Sequence, residues 1–307
     1  MNRGKASVIA VRGSPGSGKS TFSAILARYL TRGQSKAILI SPDQTAPMLP
    51  VWFPNENIEN HMSLGHVLTS SELNNSIIAP HVKLLKSYPY IGVLGYASGD
   101  MPLSYPEPDY KKIADVIGVV SGMVDFVIVD CSSRITDYFT AATIEAADVC
   151  ISIFTPDLRG VSYRKAQTPL LTGEQFKLDS HLIFAGVSRP YHALDEMEHV
   201  FGRLDGILPW IKEIDRAATE GLIFQSGKYC TEKYLSALRR VKTALHIEPV
   251  NTDKGGDLDD GTDTKSTESE RYFLSVKDDR CGLSRAAARA SEVSFRSSCQ
   301  SHFRRRQ

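Results

Sequence analysis

Val8-Ile9-Ala10-Val11-Arg12-Gly13-Ser14-Pro15-Gly16-Ser17-Gly18-Lys19-Ser20-Thr21 is the stretch whose reading decides the fold. Residues 8–11 form a continuous apolar run, as expected of a strand covered on both faces of a parallel sheet. Positions 13–20 then satisfy the pattern G-x-x-x-x-G-K-[ST]. Phe22, Ile25, Leu26, Tyr29 and Leu30 follow at helical spacing over residues 21–30. In a strand–loop–helix unit of this kind, the glycines let successive backbone N–H groups turn toward one anion, and the helix N-terminus adds partial positive charge. The side chains suit a nucleoside triphosphate with Mg²⁺. Lys19 supplies a point charge to the β- and γ-phosphates, the Ser20 hydroxyl is placed to ligate the metal, and Thr21 can donate to the α-phosphate. A chance match in a chain this long is on the order of 1 in 100, and the flanking strand and helix reduce it further.

Working outward, further apolar runs occupy residues 37–40, 91–94, 126–129, 149–154 and 182–187. Helical patterns fall at 110–123, 138–147, 161–171 and 233–245. Strands alternating with helices predict an α/β fold with a doubly wound, mostly parallel sheet of the P-loop NTPase type. Its ligands then collect at the strands' carboxyl ends. Two acids lie at such ends. Asp130 closes the run Asp125-Phe126-Val127-Ile128-Val129-Asp130 and fits a Mg²⁺-holding carboxylate. Asp43, in Ile40-Ser41-Pro42-Asp43-Gln44, has two readings: a carboxylate that orients or deprotonates the attacking water, or a turn residue after Pro42. The expected catalytic set is Lys19, Asp43 and Asp130.

The chain has 307 residues, 42% hydrophobic and 23% charged, with a formal net charge of +1. This is ordinary for a globular protein and gives no global field toward nucleic acid or anionic lipid. The cysteines, Cys131, Cys150, Cys230, Cys281 and Cys299, form no C-x-x-C pair, so neither a zinc knuckle nor a disulfide framework is suggested. The run 8–11 is too short for a signal peptide, and a reducing, cytoplasmic compartment is expected. Histidine pairs such as His61/His66 and His192/His199 lack a convincing metal spacing. Residues 1–250 read as one domain. The segment 251–307 differs in composition. Seven acidic residues against two lysines at 251–270 give way to nine basic against three acidic at 271–307. With so few aliphatic residues it reads as a disordered tail. The helix at 233–245 carries Leu235, Leu238, Val241 and Leu245 beside Lys233, Arg239, Arg240 and Lys242, which suits packing on its own sheet or a membrane surface.

Taken together these segments resemble the ParA/MinD family of dimeric ATPases, and within it the CpaE-like branch associated with pili and secretion. The resemblance spans about residues 5–247 as an ordered set. Ser41-Pro42-Asp43 stands where the family has D-x-D, with the second acid retained. Ser63-Leu64-Gly65-His66-Val67-Leu68 is similar to the lead into the next helix, and Asp130-Cys131-Ser132-Ser133 to switch II. Thr155-Pro156-Asp157 and Ser162-Tyr163-Arg164 resemble the junction at the dimer face. Gly206-Ile207-Leu208-Pro209-Trp210 with the 217–221 segment resembles the late strand followed by an acidic helix and Gly. The resemblance implies Mg²⁺-dependent ATP hydrolysis and an ATP-dependent homodimer that positions a partner, such as a pilus or secretion apparatus or a DNA segment. It also implies a location in the cytoplasm, including the inner face of the membrane. Ser14 departs from the family's additional lysine, so hydrolysis is expected to be slow or to need another activator. Ser188-Arg189-Pro190 replaces the family's adenine-reading Asn. The absence of N-K-x-D favours ATP over GTP. Two alternatives stay open: a P-loop kinase passing the γ-phosphoryl to a small acceptor, and a nucleotide-dependent scaffold with little hydrolysis.

Overall fold

The computed structural model describes residues 6–56, 58, 62–176, 181–224 and 231–247. The tail expected at 251–307 lies outside the described residues, as do His61, Cys230, Cys281 and Cys299. In chain order the strands are β1 (Ser7–Gly13), β2 (Ala37–Ser41), β3 (Lys83–Leu84), β4 (Ile91–Gly95), β5 (Phe126–Asp130), β6 (Val149–Phe154), β7 (His181–Ser188) and β8 (Gly206–Pro209). The helices are α1 (Lys19–Leu30), α2 (Leu49–Trp52), α3 (Leu64–Thr69), α4 (Asn75–Ile78), α5 (Tyr110–Ser121), α6 (Tyr138–Ala146), α7 (Leu158–Gln167), α8 (Leu194–Phe201), α9 (Lys212–Thr219) and α10 (Glu232–Ala244).

The strands form one sheet in the order β3-β4-β2-β5-β1-β6-β7-β8, parallel throughout except for β3, which runs against β4. β1 lies inside it, in register with β5 (Val11↔Asp130) and β6 (Gly13↔Ile153). Because side chains alternate along a strand, the two faces build two cores. Ile9, Val11, Leu39 and Ile128 pack with α1, α9 and α10. Val8, Ala10, Ile40 and Val129 pack with α3, α5 and α6. The doubly wound, mostly parallel sheet expected from the sequence is therefore present.

Local physics moved several boundaries. The helix expected at 21–30 begins at Lys19, because Gly18 (φ 84°, ψ 18°) is itself the cap. The helix expected at 161–171 begins at Leu158, where the Asp157 carboxylate accepts from Gly160 N–H, and it ends at Gln167. Thr168–Leu171 continues as a 3₁₀ turn around Pro169, which lacks a donor. β3, α4 and α8 are too short or too weakly patterned to stand out in the sequence. Leu235, Leu238 and Val241 of α10 are buried against the sheet and α1, so this stripe is used in packing and is unavailable to a membrane. Among the described residues, no helix is long and apolar enough to cross a membrane.

Candidate phosphate-loop site

β1 delivers the chain into the 13–21 loop at the carboxyl edge of the sheet. Gly13 has φ 151°, and a Cβ there would lie 1.8 Å from Ile153 O, so no side chain fits. Ser14 N–H donates to Ile153 O (3.0 Å). Gly16 (φ 71°) and Gly18 (φ 84°) take left-handed conformations that favour glycine. Together these residues turn the loop into the first turn of α1. Pro15 and Gly16 face solvent, while Ser17 is buried beneath them.

Ser14 is 1% exposed and points inward. Its hydroxyl accepts from Thr155 N–H (3.0 Å) and lies 3.4 Å from the Thr155 hydroxyl. The Thr155 hydroxyl in turn donates to Asp157 Oδ1 (2.8 Å), the cap of α7. Residue 14 thus ties the loop to the β6–α7 junction.

Lys19 Nζ donates to Ser14 O (3.3 Å) and to Ser133 Oγ (2.9 Å). Burial lowers the pKa of its ammonium, and Asp130, Cys131 and Asp43 oppose that shift. Asp130, at the end of β5, is 3% exposed, and its Oδ1 has no hydrogen-bond partner. Burial pushes its pKa up to about 6, against the lowering effects of a hydrogen bond from Ser20 and the charge of Lys19; Asp43 adds a further rise. An orphaned buried carboxylate oxygen beside a serine hydroxyl is a donor pair suited to a hard cation such as Mg²⁺. Lys19, Ser20 and Asp130 are thereby brought together, with Thr21 on the same first turn of α1. Asp43 lies near enough to act on both Lys19 and Asp130, but its Oδ1 accepts from Thr45 N–H (2.8 Å) and Ala46 N–H (3.2 Å). The turn role is therefore realised, and only Oδ2 is left for other partners.

Sequence reading placed Ser133, Tyr163 and Trp210 in family-like segments but missed the contacts they make. Ser133 holds Lys19, and Tyr163 of α7 donates to Ser133 O (2.7 Å). Beside the loop lies a cleft of about 350 Å³ between Gly16–Thr21 and a wall of Val187, Leu208, Trp210, Ile211 and Asp215. Val187 has φ 53°, a strained conformation for a β-branched residue, at a register irregularity between β7 and β8. Just beyond it, Trp210 N–H donates to Ser188 O (2.7 Å), and the Arg189 guanidinium lies 5.1 Å from the Trp210 ring centroid. Contacts between segments so distant in sequence leave no local signature.

No protein-family profile and no curated protein sequence matches this chain. Solved structures do resemble it. A ParA family ATPase from Chlorobium tepidum superposes with a TM-score of 0.62 at 15% identity, covering 78% of this chain and 98% of that one. A putative plasmid partition protein from Borrelia burgdorferi, bound to AMPPNP, gives 0.61 at 15% identity over 79% and 99%. MinD from Pyrococcus horikoshii, complexed with Mg-ADP, gives 0.58 at 17% identity over 78% and 97%. At such identities the likeness speaks for architecture: the chain has the fold of the ParA and MinD ATPases.

Proposed function

We propose that this chain binds Mg·ATP in the 13–21 loop and hydrolyses it slowly. The observation that carries this reading is the convergence of Lys19 and the orphaned Oδ1 of Asp130 on a loop whose glycines hold left-handed conformations. Loop amides surround the β-phosphate, and Lys19 Nζ exchanges Ser14 O and Ser133 Oγ for phosphate oxygens. Ser20 and Asp130 would hold Mg²⁺, which when bound neutralises charge on the β- and γ-oxygens. Thr21 donates to the α-phosphate. Asp43 orients the attacking water through Oδ2. The base enters the cleft beneath Val187 and Trp210.

The neighbours include a plasmid partition protein and a MinC:MinD complex. By analogy with them, we read the output as an ATP-dependent homodimer that positions a partner in the cytoplasm or at the inner face of the membrane. The CpaE-like assignment to pilus or secretion machinery belongs to the same analogy. Residues 1–250 would form the working domain and 251–307 a charged tail apart from it. One observation favours a scaffold with little hydrolysis: Ser14 is committed to Thr155 and offers no cation to a neighbouring nucleotide.

Calorimetry with Mg·ATP and Mg·GTP on the wild type and Lys19→Ala tests binding. ATP turnover followed against protein concentration, with sizing in ATP and ADP, tests the dimer. No heat from either nucleotide would end the reading. Turnover that appears only with an added acceptor would replace it with a kinase.

A further inference from the structure

The alternation that makes Val8 and Ala10 core residues puts Arg12 on the same face of β1, where an apolar side chain is expected. Arg12 is 3% exposed, and its Nε and Nη1 have no hydrogen-bond partner. Its titratable neighbours include the Cys131 and Cys150 thiols and the Tyr163 hydroxyl, all neutral at ordinary pH, with burial raising the pKa of each. A second guanidinium, Arg164 of α7, sits 5.6 Å from the Phe154 ring centroid, with Arg12 5.9 Å from the same centroid. Neither arginine forms an ion pair among the described residues. Ser152, opposite Arg12 in register, is 1% exposed, and among the described residues its hydroxyl has only the weakly bonding Cys150 thiol beside it. His181, on the neighbouring strand, donates from Nε2 to Phe176 O (2.8 Å), and an imidazole, neutral or protonated, supplies no negative charge. Its pKa is lowered to about 4, by burial first and then by Arg12.

Two guanidiniums therefore lie close together, Arg12 buried and Arg164 half-buried, with unfilled donors on Arg12 and Ser152 and no acid paired with either arginine among the described residues. A buried charge without a counter-charge is strongly disfavoured. We propose that the space between β1, β6 and α7 at Arg12 and Arg164 is a binding site for a small inorganic anion. The recognising chemistry is a compact negative charge accepting from Arg12 Nε and Nη1 and from the Ser152 hydroxyl, with Arg164 closing the α7 side. The side chain of Arg12 lies on the face of β1 that carries Val8 and Ala10, and the proposal does not rest on ATP binding. Tyr163 contacts both Arg12 and Ser133 O, and occupancy would fasten α7 to the segment that holds Lys19.

The test follows the melting midpoint of the full chain against sodium chloride, and separately sodium phosphate, with sodium gluconate keeping the ionic strength constant. Because the loop is itself an anion nest, Lys19→Ala is titrated in parallel. A saturable rise is expected, of about 5–10 °C at a hundredfold excess over half-saturation. It should persist in Lys19→Ala and vanish in Arg12→Gln. Saturation by chloride identifies a halide, and saturation by phosphate alone an oxyanion. A wild type that responds no more than in gluconate overturns the proposal. So does a response lost in Lys19→Ala but kept in Arg12→Gln. If Arg12→Gln does not fold, Arg164→Gln should raise the half-saturating concentration about tenfold, and an unchanged value counts against the site.

Discussion

Gly186 provides the most direct test of how the loop is held. It lies in β7 without a left-handed φ, so only space explains why no side chain stands there. A Cβ at this position would lie 2.2 Å from Ser17 O and 2.5 Å from Ile153 Cγ2. The serine carbonyl is backbone and cannot swing aside, so Gly186→Ala must push the loop off β7 by about 1 Å to restore a contact near 3.4 Å. Overpacking of this size costs about 1–3 kcal/mol, which lowers the melting midpoint by about 3–10 °C in a domain of this size. Displacing the phosphate amides by about 1 Å should weaken Mg·ATP binding at least tenfold and turnover by about a hundredfold. Urea unfolding measures the first effect, and calorimetry with steady-state turnover the second. An alanine variant with stability within 0.5 kcal/mol of wild type (about the scatter of surface substitutions) and unchanged affinity would refute the claim that β7 props the loop.

Three further outcomes follow. Gly118→Ala, on the exposed side of α5 with open space around it, should stabilise the chain by about 0.5–1 kcal/mol without changing nucleotide affinity; destabilisation in urea would contradict that placement. Ser14→Ala leaves the part-buried Thr155 N–H without its acceptor and should cost about 1 kcal/mol, with a non-additive cycle against Asp157→Ala; an additive cycle would show that the loop and α7 are not linked. His181 carries a folded pKa of about 4 below the ordinary 6.5. The unfolded chain therefore takes up its proton first, and the stability this group contributes is complete above pH 6.5 and lost as pH falls toward 4. His181→Gln should flatten that decline between pH 6.5 and 4, and an unaltered slope in denaturant midpoints would exclude the histidine as its source.

The fold was largely legible because buried parallel strands write themselves as unbroken apolar runs, and Ile38-Leu39-Ile40 or Val127-Ile128-Val129 admit few other readings. The loop was legible because its chemistry is contiguous. The glycines at 13, 16 and 18 lie directly between a strand and a helix, and their backbone alone turns one into the other. The place of Asp130 at a strand end could be read because an unbroken apolar run closes on it, and that strand lies next to β1. What escaped depends on contacts across the sequence. Ser133 under Lys19 and Thr155 against Ser14 carry no periodicity. Arg12 defied its own strand pattern, since alternation assigns an apolar residue to that face. Asp43 showed the limit of type-and-place reasoning: the same acid after Pro42 suits a water-orienting role and a turn, and the turn takes one of its oxygens.

The position of β1 has a consequence for how this molecule wears under stress. Fraying and partial opening begin where a sheet has only one neighbour to lose, here at β3 and β8. The strand that feeds residues 13–21 is gripped on both sides, by β5 and by β6. The strand end that carries residues 13–21 should therefore open later than the sheet's edges, whereas the cleft wall carried by β8 can slacken first. On the proposed nucleotide reading, heat or denaturant should blunt discrimination among bases before it abolishes the grip on phosphate.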